Sequence, residues 1–515
     1  MPAANTPWPP KAWAPAYAQY AENDAWLTGD TKTLATLYSG QGGATHTRAG
    51  QAHRGGLVGT MARAFWGRPV AAGESRTRLH VPAPADLATL ASDLQYSDPP
   101  VTNFLGDAKA EPVAKARLDL LMNSDEAHAT FNAQGEIKSA LGATIILPRW
   151  DTSIEDHVWL DHAAADTAIP VFRHGRLVEV TLWSEYLDGH VYWRHLEHHA
   201  PGYVEHALFR GTQSSLSARV PLQDRPETEN YAALVDGDSR IPTFIDRLTA
   251  GYLPNAPALS WRKQGALKDA GRSDFNQCIP LFDALDEAFS SWMRDLKLGA
   301  GRMFVPDAYL KSNGPGAGAS FDLFQEMFVG LQVPGKAGEG MELTPSQFAI
   351  RVEEHERTMR GIVREILRKA GYSPSSWGDP DQAGGQATAT EIQSRTEQTE
   401  RTRSRKNLYD RRVLSRMGSV ALELDGLLFS GKGGGQYDLN VVFPDLSRTD
   451  PKTEAETIGL LNVAGAISTE TAVRRANPDW DDTTVTEEVK RIQNKRDAEQ
   501  PPDPFTIDRV NEPEK

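Results

Sequence analysis

The chain is poor in cysteine and has no long apolar run. Its one cysteine, Cys278, excludes an internal disulfide framework and a cysteine-rich zinc site. The longest apolar runs, such as residues 143–147, have the length of a strand and are too short to cross a bilayer, so we expect no membrane association. Residues 1–19 lack a basic stretch followed by an apolar one, and we therefore predict no secretory signal and synthesis in a reducing cytoplasm.

Positive charge is also scarce. Lys and Arg number 55 against 69 Asp and Glu, a net charge of −14 over 515 residues. This balance argues against a protein coated in positive charge for tight, sequence-specific DNA binding, but it leaves loose or sliding contact with nucleic acid open. At roughly 150 residues per domain, the length suggests about three structural units with ordinary globular cores.

The hydrophobic pattern changes period along the chain. Residues 11–135 favour short helices, including one over residues 56–66. From residue 143 to 209, short segments rich in β-branched and aromatic residues alternate with turn signals, His174-Gly175 and Asp188-Gly189, which predicts a sheet of hairpins. Residues 275–298 return to apolar positions three and four apart and predict a helix.

The second half alternates helices with glycine-rich breaks. Residues 299–340 are rich in glycine and predict a small β-containing module, followed by a helix from Thr344-Pro345 to Gly371. Residues 372–385 carry enough proline and glycine to predict an irregular loop. A long helix follows from about residue 387 to about 428, then a strand, two helical patches, and a polar tail over residues 501–515 that we expect to be disordered.

Two patterns with catalytic associations are weak. Residues 330–337 and 426–433 both contain G-x-x-x-x-G-K, but Ala337 and Gly433 stand where a phosphate-binding loop needs the Ser or Thr that binds Mg²⁺.

His195, His198 and His199 lie in a segment that is predicted to be a strand, so their side chains divide between its two faces. We interpret them as polar residues of a solvated hairpin, with an adventitious metal site as the alternative. No cofactor, no metal and no catalytic residue is predicted.

The long helix is unusual in its charge. Residues 388–417 carry eight Lys or Arg against four Asp or Glu, and apolar positions are sparse before Leu408. A helix that is polar nearly all round is not expected in a core; it packs against charged neighbours or faces solvent. A solvated coiled-coil arm is the plain alternative.

Taken together, the order of segments resembles the portal proteins of tailed double-stranded DNA bacteriophages, in the branch found in siphophages of actinobacteria. The likeness is carried by DTAIPVF and GRLVEVTLW (166–183), by PLFDALDE and RMFVP (280–306), by GGQATATEI (384–392), and by AGAISTET and NPDWDD (464–482). It covers roughly 350 residues, and the first 130 residues are placed in the wing only by elimination.

The resemblance implies an α+β portal fold assembled as a ring. Its parts would be a mixed α/β wing (1–270), a first stem helix (271–298), a clip (299–343), a second stem helix (344–371), a tunnel loop (372–386), a long wing or tunnel helix with a return strand (387–443), a helical crown (444–500) and the tail (501–515). The expected function is a non-enzymatic channel of about twelve subunits at one capsid vertex, for DNA packaging, head–tail joining and ejection.

The resemblance also implies partners and site residues. Partners would be further copies of the chain, double-stranded DNA bound without sequence specificity, the terminase large subunit, the major capsid protein and a head–tail adaptor, in the virion and, during assembly, in the host cytoplasm. The tunnel loop would present to DNA Ser375, Ser376, Trp377, Asp379, Asp381 and Gln382. Phosphate or intersubunit contacts would come from Arg395, Arg401, Arg403, Arg405 and Lys406.

Two other classes stay open at this stage. A nucleic-acid-processing phage enzyme subunit, of the helicase or nuclease class, would need one of the two glycine-rich motifs to bind nucleotide. A monomeric binding protein would remain a single species near 57 kDa in solution.

Overall fold

The computed structural model describes residues 1–42, 79–105, 112–299, 302–304, 311–312, 319–320, 344–346, 351–378, 389–444, 451–477, 480 and 482–499. The chain divides into two compact units. The larger contains residues 1–384 and 395–444, and the smaller contains residues 385–394 and 445–515. The predicted helix over 56–66 and the tail over 501–515 lie outside the described residues.

Helices and strands are mixed, as the sequence predicts. The described helices are α1 (Ala14–Thr28), α2 (Thr31–Gly42), α3 (Ala83–Tyr96), α4 (Pro112–Met122), α5 (Asp125–Leu141), α6 (Pro226–Ala232), α7 (Ile279–Gly299), α8 (Val352–Ala370), α9 (Ala389–Leu428), α10 (Pro451–Val463), α11 (Thr469–Ala476) and α12 (Asp482–Glu499). The described strands are β1 (Val101–Phe104), β2 (Ala143–Arg149), β3 (Trp159–Ala164), β4 (Ala168–Arg173), β5 (Arg176–Asp188), β6 (Val191–Ala200), β7 (Tyr203–Thr212), β8 (Ser215–Val220), β9 (Arg240–Pro242), β10 (Gly251–Pro254), β11 (Arg302–Phe304), β12 (Lys311–Ser312), β13 (Ala319–Ser320), β14 (Thr344–Ser346) and β15 (Leu439–Val442).

The predicted hairpins form one antiparallel sheet in the order β4-β5-β6-β7-β8, with β9 paired to β7. The turn into β5 needs positive φ at His174 and Gly175, at 50° and 73°, which explains the short polar-glycine signal there. Gly189, at φ 62°, does the same between β5 and β6, where Asp188 pairs with Val191. The prediction of a hairpin sheet is confirmed.

A second sheet, in the order β10-β2-β3, supplies apolar residues to the same core as the hairpin sheet. Ile145 and Leu147 of β2, Leu196 of β6 and Phe209 of β7 are all buried there. Burial of large apolar side chains at roughly 25 cal/mol per Å² supplies most of the driving force for this part of the fold.

Helices α7 and α8 contact each other near Asp295. Its carboxylate accepts hydrogen bonds from Arg351 and from His355, each at 2.9 Å. Trp292 stacks on His355 with ring centroids 6.1 Å apart. Nearer the body, Phe282 and Leu285 of α7 and Ile366 of α8 share a third apolar core with α1, α2 and α3.

The predicted start of the second helix is wrong. Thr344 and Pro345 lie in β14, paired with β11, and α8 begins only at Val352. A residue before proline favours extended backbone, and a proline at a sheet edge loses no ladder hydrogen bond, so the same dipeptide suits a short strand. The predicted end is confirmed, because Gly371 adopts φ 94° and caps α8.

Helix α9 has 40 residues and rises over roughly 60 Å. Its second half does not match the prediction of a helix that avoids the core. Leu414, Met417, Val420 and Leu424 are fully buried, in a core shared with α4, α5 and β15. The sequence prediction had relied on the few apolar positions before Leu408, so it missed that the same helix becomes apolar and buried after that residue.

The smaller unit contains α10, α11 and α12 among its described residues. Ser468 caps α11 by accepting a hydrogen bond from the backbone N–H of Thr471 at 3.1 Å. Ala472, Val473 and Val485 are buried where these helices meet. The helical patches predicted over residues 452–462 and 484–499 correspond to α10 and α12 and are confirmed, whereas α11 between them was not predicted.

None of the described helices combines the length and the apolar character that a bilayer-spanning helix requires.

Candidate channel and intersubunit residues

The basic residues predicted to meet phosphate or a neighbouring subunit do not share one environment. Arg401 and Arg405 are exposed on α9, and Arg401 pairs with Glu397 one turn earlier at 2.5 Å. Arg395 lies on the helix, but its side chain is outside the described residues. Arg401 and Arg405 therefore remain available at the surface.

Arg403 departs from the prediction. Its side chain is 6% exposed, and its guanidinium donates to the backbone carbonyls of Leu94 and Pro444 at 2.6 Å each. These bonds tie α9 to the end of α3 and to the segment after β15. A cation used in this way within its own chain is not free to bind phosphate or another subunit.

Lys406 was also predicted to contact phosphate or a neighbouring subunit, and it too is bound within its own chain. Its ammonium lies 2.5 Å from Asp274 and donates to the Tyr372 hydroxyl at 2.8 Å, and its side chain is 3% exposed. Burial opposes ionisation of Asp274, but the charge and hydrogen bond of Lys406 outweigh it, together with Ser139 and Asn255, and lower the pKa of the carboxyl. Lys406 thus holds α9 against the 3-10 turn of residues 274–277 that precedes α7.

A second buried ion pair joins Lys138 of α5 to Asp410 of α9. The Tyr96 hydroxyl donates to the same carboxylate at 2.5 Å, and Gln95 also donates to it. Burial lowers the pKa of the Lys138 ammonium, while Asp410 acts to raise it. Because the pair is almost fully buried, each partner is needed to offset the other's loss of hydration.

A third buried pair holds the far end of α9. Arg117 of α4 binds both carboxylate oxygens of Asp425, at 2.6 and 2.7 Å. The backbone N–H of Val158 donates to the same carboxylate at 3.1 Å. Such a two-pronged contact fixes orientation as well as distance.

The predicted tunnel loop is in part an ordered turn. Pro374–Trp377 forms one turn of 3-10 helix. Within it, Ser376 shares a 2.9 Å hydrogen bond with Thr399 of α9, and Ser375 shares one with Ser373 at 3.1 Å. Proline followed by two serines therefore makes a local turn where the sequence had predicted irregular backbone.

The structure describes only the first half of the predicted tunnel loop, residues 372–378. Trp377 is half-buried against the helical core, whereas Ser375 is exposed. Asp379, Asp381 and Gln382 lie outside the described residues. Contact between the loop and DNA remains a prediction.

The histidine-rich strand is buried, so the interpretation as a solvated hairpin is wrong. His195, His199 and His206 are between 1% and 6% exposed. Alternation along β6 does place His195, Glu197 and His199 on one face, with His206 opposite Glu197 on β7. Helix α6 and neighbouring segments cover that face, which the pattern within one strand does not reveal.

The polar side chains of this buried cluster bind one another and residues distant in sequence. Glu197 pairs with Arg149 of β2 and binds His199 at 2.9 Å. Burial opposes ionisation of Glu197, yet Arg149 and His199 hold the pKa of its carboxyl well below the ordinary value. Burial lowers the pKa of His206 to about 3, so this histidine is neutral in the folded chain. Among the residues described, no group of three or more His, Cys, Asp or Glu is placed to hold a metal ion.

The described copy of the G-x-x-x-x-G-K pattern is not a phosphate cradle. Gly426 lies in the last turn of α9, so the motif spans a helix C-terminus, where backbone carbonyls and the helix dipole disfavour anions. Lys432 is already paired with Asp156 at 2.8 Å. The other copy, residues 330–337, lies outside the described residues.

Comparison with protein families places these features in a known class. Residues 178–502, well over half of the chain, match the family described as phage portal protein, SPP1 Gp6-like. The chain belongs to this family. The resemblance noted in the sequence is thereby confirmed. No curated protein matches the sequence.

Solved structures give weaker likenesses. A chain from the neck of an empty GTA particle, computed with C6 symmetry, is 16% identical over 77% of this chain and 90% of that one, with a TM-score of 0.38. A chain from the neck of a native GTA particle, computed with C12 symmetry, is 15% identical over 81% and 91%, with a TM-score of 0.37.

Replacing Asp410 by Ala should lower the free energy of unfolding by about 3–5 kcal/mol, because it leaves the buried Lys138 ammonium without its counter-ion. Urea unfolding followed by circular dichroism measures this. Glu397→Ala is the matched control on the same helix, since its pair with Arg401 is exposed and should contribute little. Equal effects of the two substitutions would show that the buried pair does not anchor α9.

The stability of the larger unit should fall as pH drops from about 6.5 towards 3. The unfolded chain binds a proton at His206 in this window and the folded chain does not, so His206 alone contributes a slope of about 1.4 kcal/mol per pH unit. His206→Gln should flatten the slope in urea unfolding measured across this range, whereas the exposed His190→Gln should not. An unchanged slope in His206→Gln would contradict the burial of a neutral histidine.

Proposed function

We propose that this chain is the portal subunit of a phage-like particle, forming a ring of about twelve copies at one capsid vertex. Double-stranded DNA would enter through the ring during packaging and leave through it during ejection. Membership of the portal family is the observation that carries the proposal. The chain would act without catalysis, in the virion after assembly in the host cytoplasm.

We assign the parts of the portal to elements of this chain as follows. The wing would comprise residues 1–270, with the six-stranded sheet. Helices α7 and α8 would be the stem, the module between them the clip, α9 the long helix beside the channel, and α10–α12 the crown. The clip would contact the terminase large subunit and later the head–tail adaptor, and the outer surface would contact the major capsid protein.

The net negative charge of the chain supports a channel through which DNA slides, as opposed to a site that binds DNA tightly. A net charge of −14 per subunit makes a ring strongly acidic, and such a wall repels the phosphate backbone. The burial of Arg403 and Lys406 reinforces this, because Arg403 is bound to backbone carbonyls and Lys406 to Asp274 inside the subunit. DNA would therefore slide without being held by counterion release.

The one G-x-x-x-x-G-K motif that lies among the described residues does not support the enzyme alternative. The motif at residues 426–433 lies at a helix end, with its lysine paired to Asp156. Lys432→Ala should accordingly leave DNA packaging nearly intact.

Light scattering of the purified full chain tests the proposal. A ring of about twelve copies has a mass of about 0.7 MDa, from 56.5 kDa per chain. The proposal predicts that species. A single species at the mass of one chain at all protein concentrations would refute it.

Asp379→Lys combined with Asp381→Lys tests the tunnel loop. If the loop faces DNA, the added cations should slow packaging or ejection, and the delay should shrink as salt rises because phosphate contacts are salt-sensitive. Single-particle DNA release at low and high salt measures this, with Lys263→Glu, an exposed change elsewhere, as the control. Unchanged release at low salt from intact rings would place the loop away from the channel.

A further inference from the structure

A cleft lies between the turn into β5, strand β10 and the middle of α9. It has a volume of about 500 Å³. Its walls include apolar and aromatic side chains: Phe172 and Tyr252 meet edge-on with ring centroids 5.0 Å apart, and Val413 and Leu408 of α9 lie across from them. Leu408 is 65% exposed, a large apolar side chain left open to solvent at the cleft.

The rim of the cleft is positively charged in an otherwise acidic chain. It carries Arg176, Lys268, Arg412 and Arg416 against a single carboxylate, Asp269. Within the described part of the chain, none of these four side chains takes part in an ion pair or a hydrogen bond. Burial and the neighbouring guanidinium groups of Arg247 and Arg176 lower the pKa of Arg416. The lining of the cleft therefore carries an excess of positive charge that an incoming anion would offset.

The opposite end of β5 carries the complementary chemistry. At the hairpin between β5 and β6, Leu187 is 62% exposed and the Asp188 side chain is 69% exposed. Among the described residues Asp188 pairs with Arg225 at 3.5 Å, and a pair this exposed contributes little free energy. The tip thus offers an apolar side chain next to a weakly held carboxylate.

These two surfaces lie too far apart to meet within one subunit. Strand β5 runs from Arg176, at the cleft, to Asp188, at the tip, over 13 residues. At roughly 3.3 Å per residue, the two ends are separated by about 40 Å. A surface at one end that fits a different surface at the other end is the arrangement that head-to-tail repetition in a ring requires.

We propose that the cleft receives the β5–β6 hairpin tip of a second copy of this chain, with Leu187 against the apolar walls and Asp188 beside Arg416 and its neighbouring cations. This inference rests on the ring proposed above and names one of its intersubunit contacts. Duplex DNA fits the cleft less well, since its phosphates would satisfy the cations but leave the apolar walls uncovered.

Charge reversal with reciprocal rescue tests the pairing. Arg416→Glu and Asp188→Lys should each raise the subunit concentration needed for half-assembly by about tenfold, and the double variant should recover most of that loss because it restores opposite charges. The matched controls are Lys115→Glu on α4 and Glu126→Lys on α5, exposed residues that make the same charge changes on helices that line neither surface. Light scattering at several protein concentrations gives the assembled fraction.

A zero-length carbodiimide cross-link tests the same contact in the unmodified chain. Mixed rings of ¹⁴N- and ¹⁵N-labelled subunits should yield a Lys268–Asp188 product that joins a light and a heavy peptide. This readout does not depend on how any variant folds. Absence of that product from assembled wild-type rings would overturn the inference.

The outcomes separate this inference from the proposed function. Wild-type chain that stays monomeric overturns both. Wild-type rings with unaffected charge-reversal variants, or with a double variant that is not rescued, overturn only the hairpin contact. Variants that assemble normally but lose retention of duplex DNA would identify phosphate as the occupant and would also overturn it.

Discussion

Buried ion pairs fasten the long helix α9 to the larger unit, and much of the described architecture depends on them. Lys406 with Asp274, Lys138 with Asp410, and Arg117 with Asp425 join it to the 3-10 turn just before α7, to α5 and to α4 in turn. Each pair is buried and further hydrogen-bonded, so removal of one partner leaves an uncompensated charge in the interior. The pairs fix the position of α9 along its axis more narrowly than apolar packing alone would, because a carboxylate must meet its cation at hydrogen-bond distance.

These intrachain contacts determine which charged side chains of α9 remain on the surface, where they can bind other molecules. Cations in the first half of α9 divide into those buried inside the subunit, Arg403 and Lys406, and those left on the surface, Arg401 and Arg405. For a proposed conduit, that division keeps the positive charge of the helix from becoming a continuous phosphate-binding stripe. The unpaired cations around Arg416 then stand out as a local exception, which is why an acidic partner surface is the natural complement.

The sequence predicted those features that depend on interactions between residues close together in the chain. Hairpins with glycine at positive φ, the end of α8 at Gly371 and the length of α9 all follow from turn chemistry and periodicity. Burial of the charged residues Lys406 and Asp410, and of the histidines on β6, was not predictable, because their partners lie far away in sequence. Thr344-Pro345 was misread for a related reason: the dipeptide suits a helix start or an edge strand, and its pairing with β11 decides between them.

Electron microscopy of the purified full-length chain tests the central claim, that these subunits close into a channel. The account predicts closed rings of one subunit number, with a central opening wide enough for duplex DNA and with α9 held against the body of each subunit by its buried pairs. Monomers, open helical filaments, or rings with no opening along the axis would contradict it.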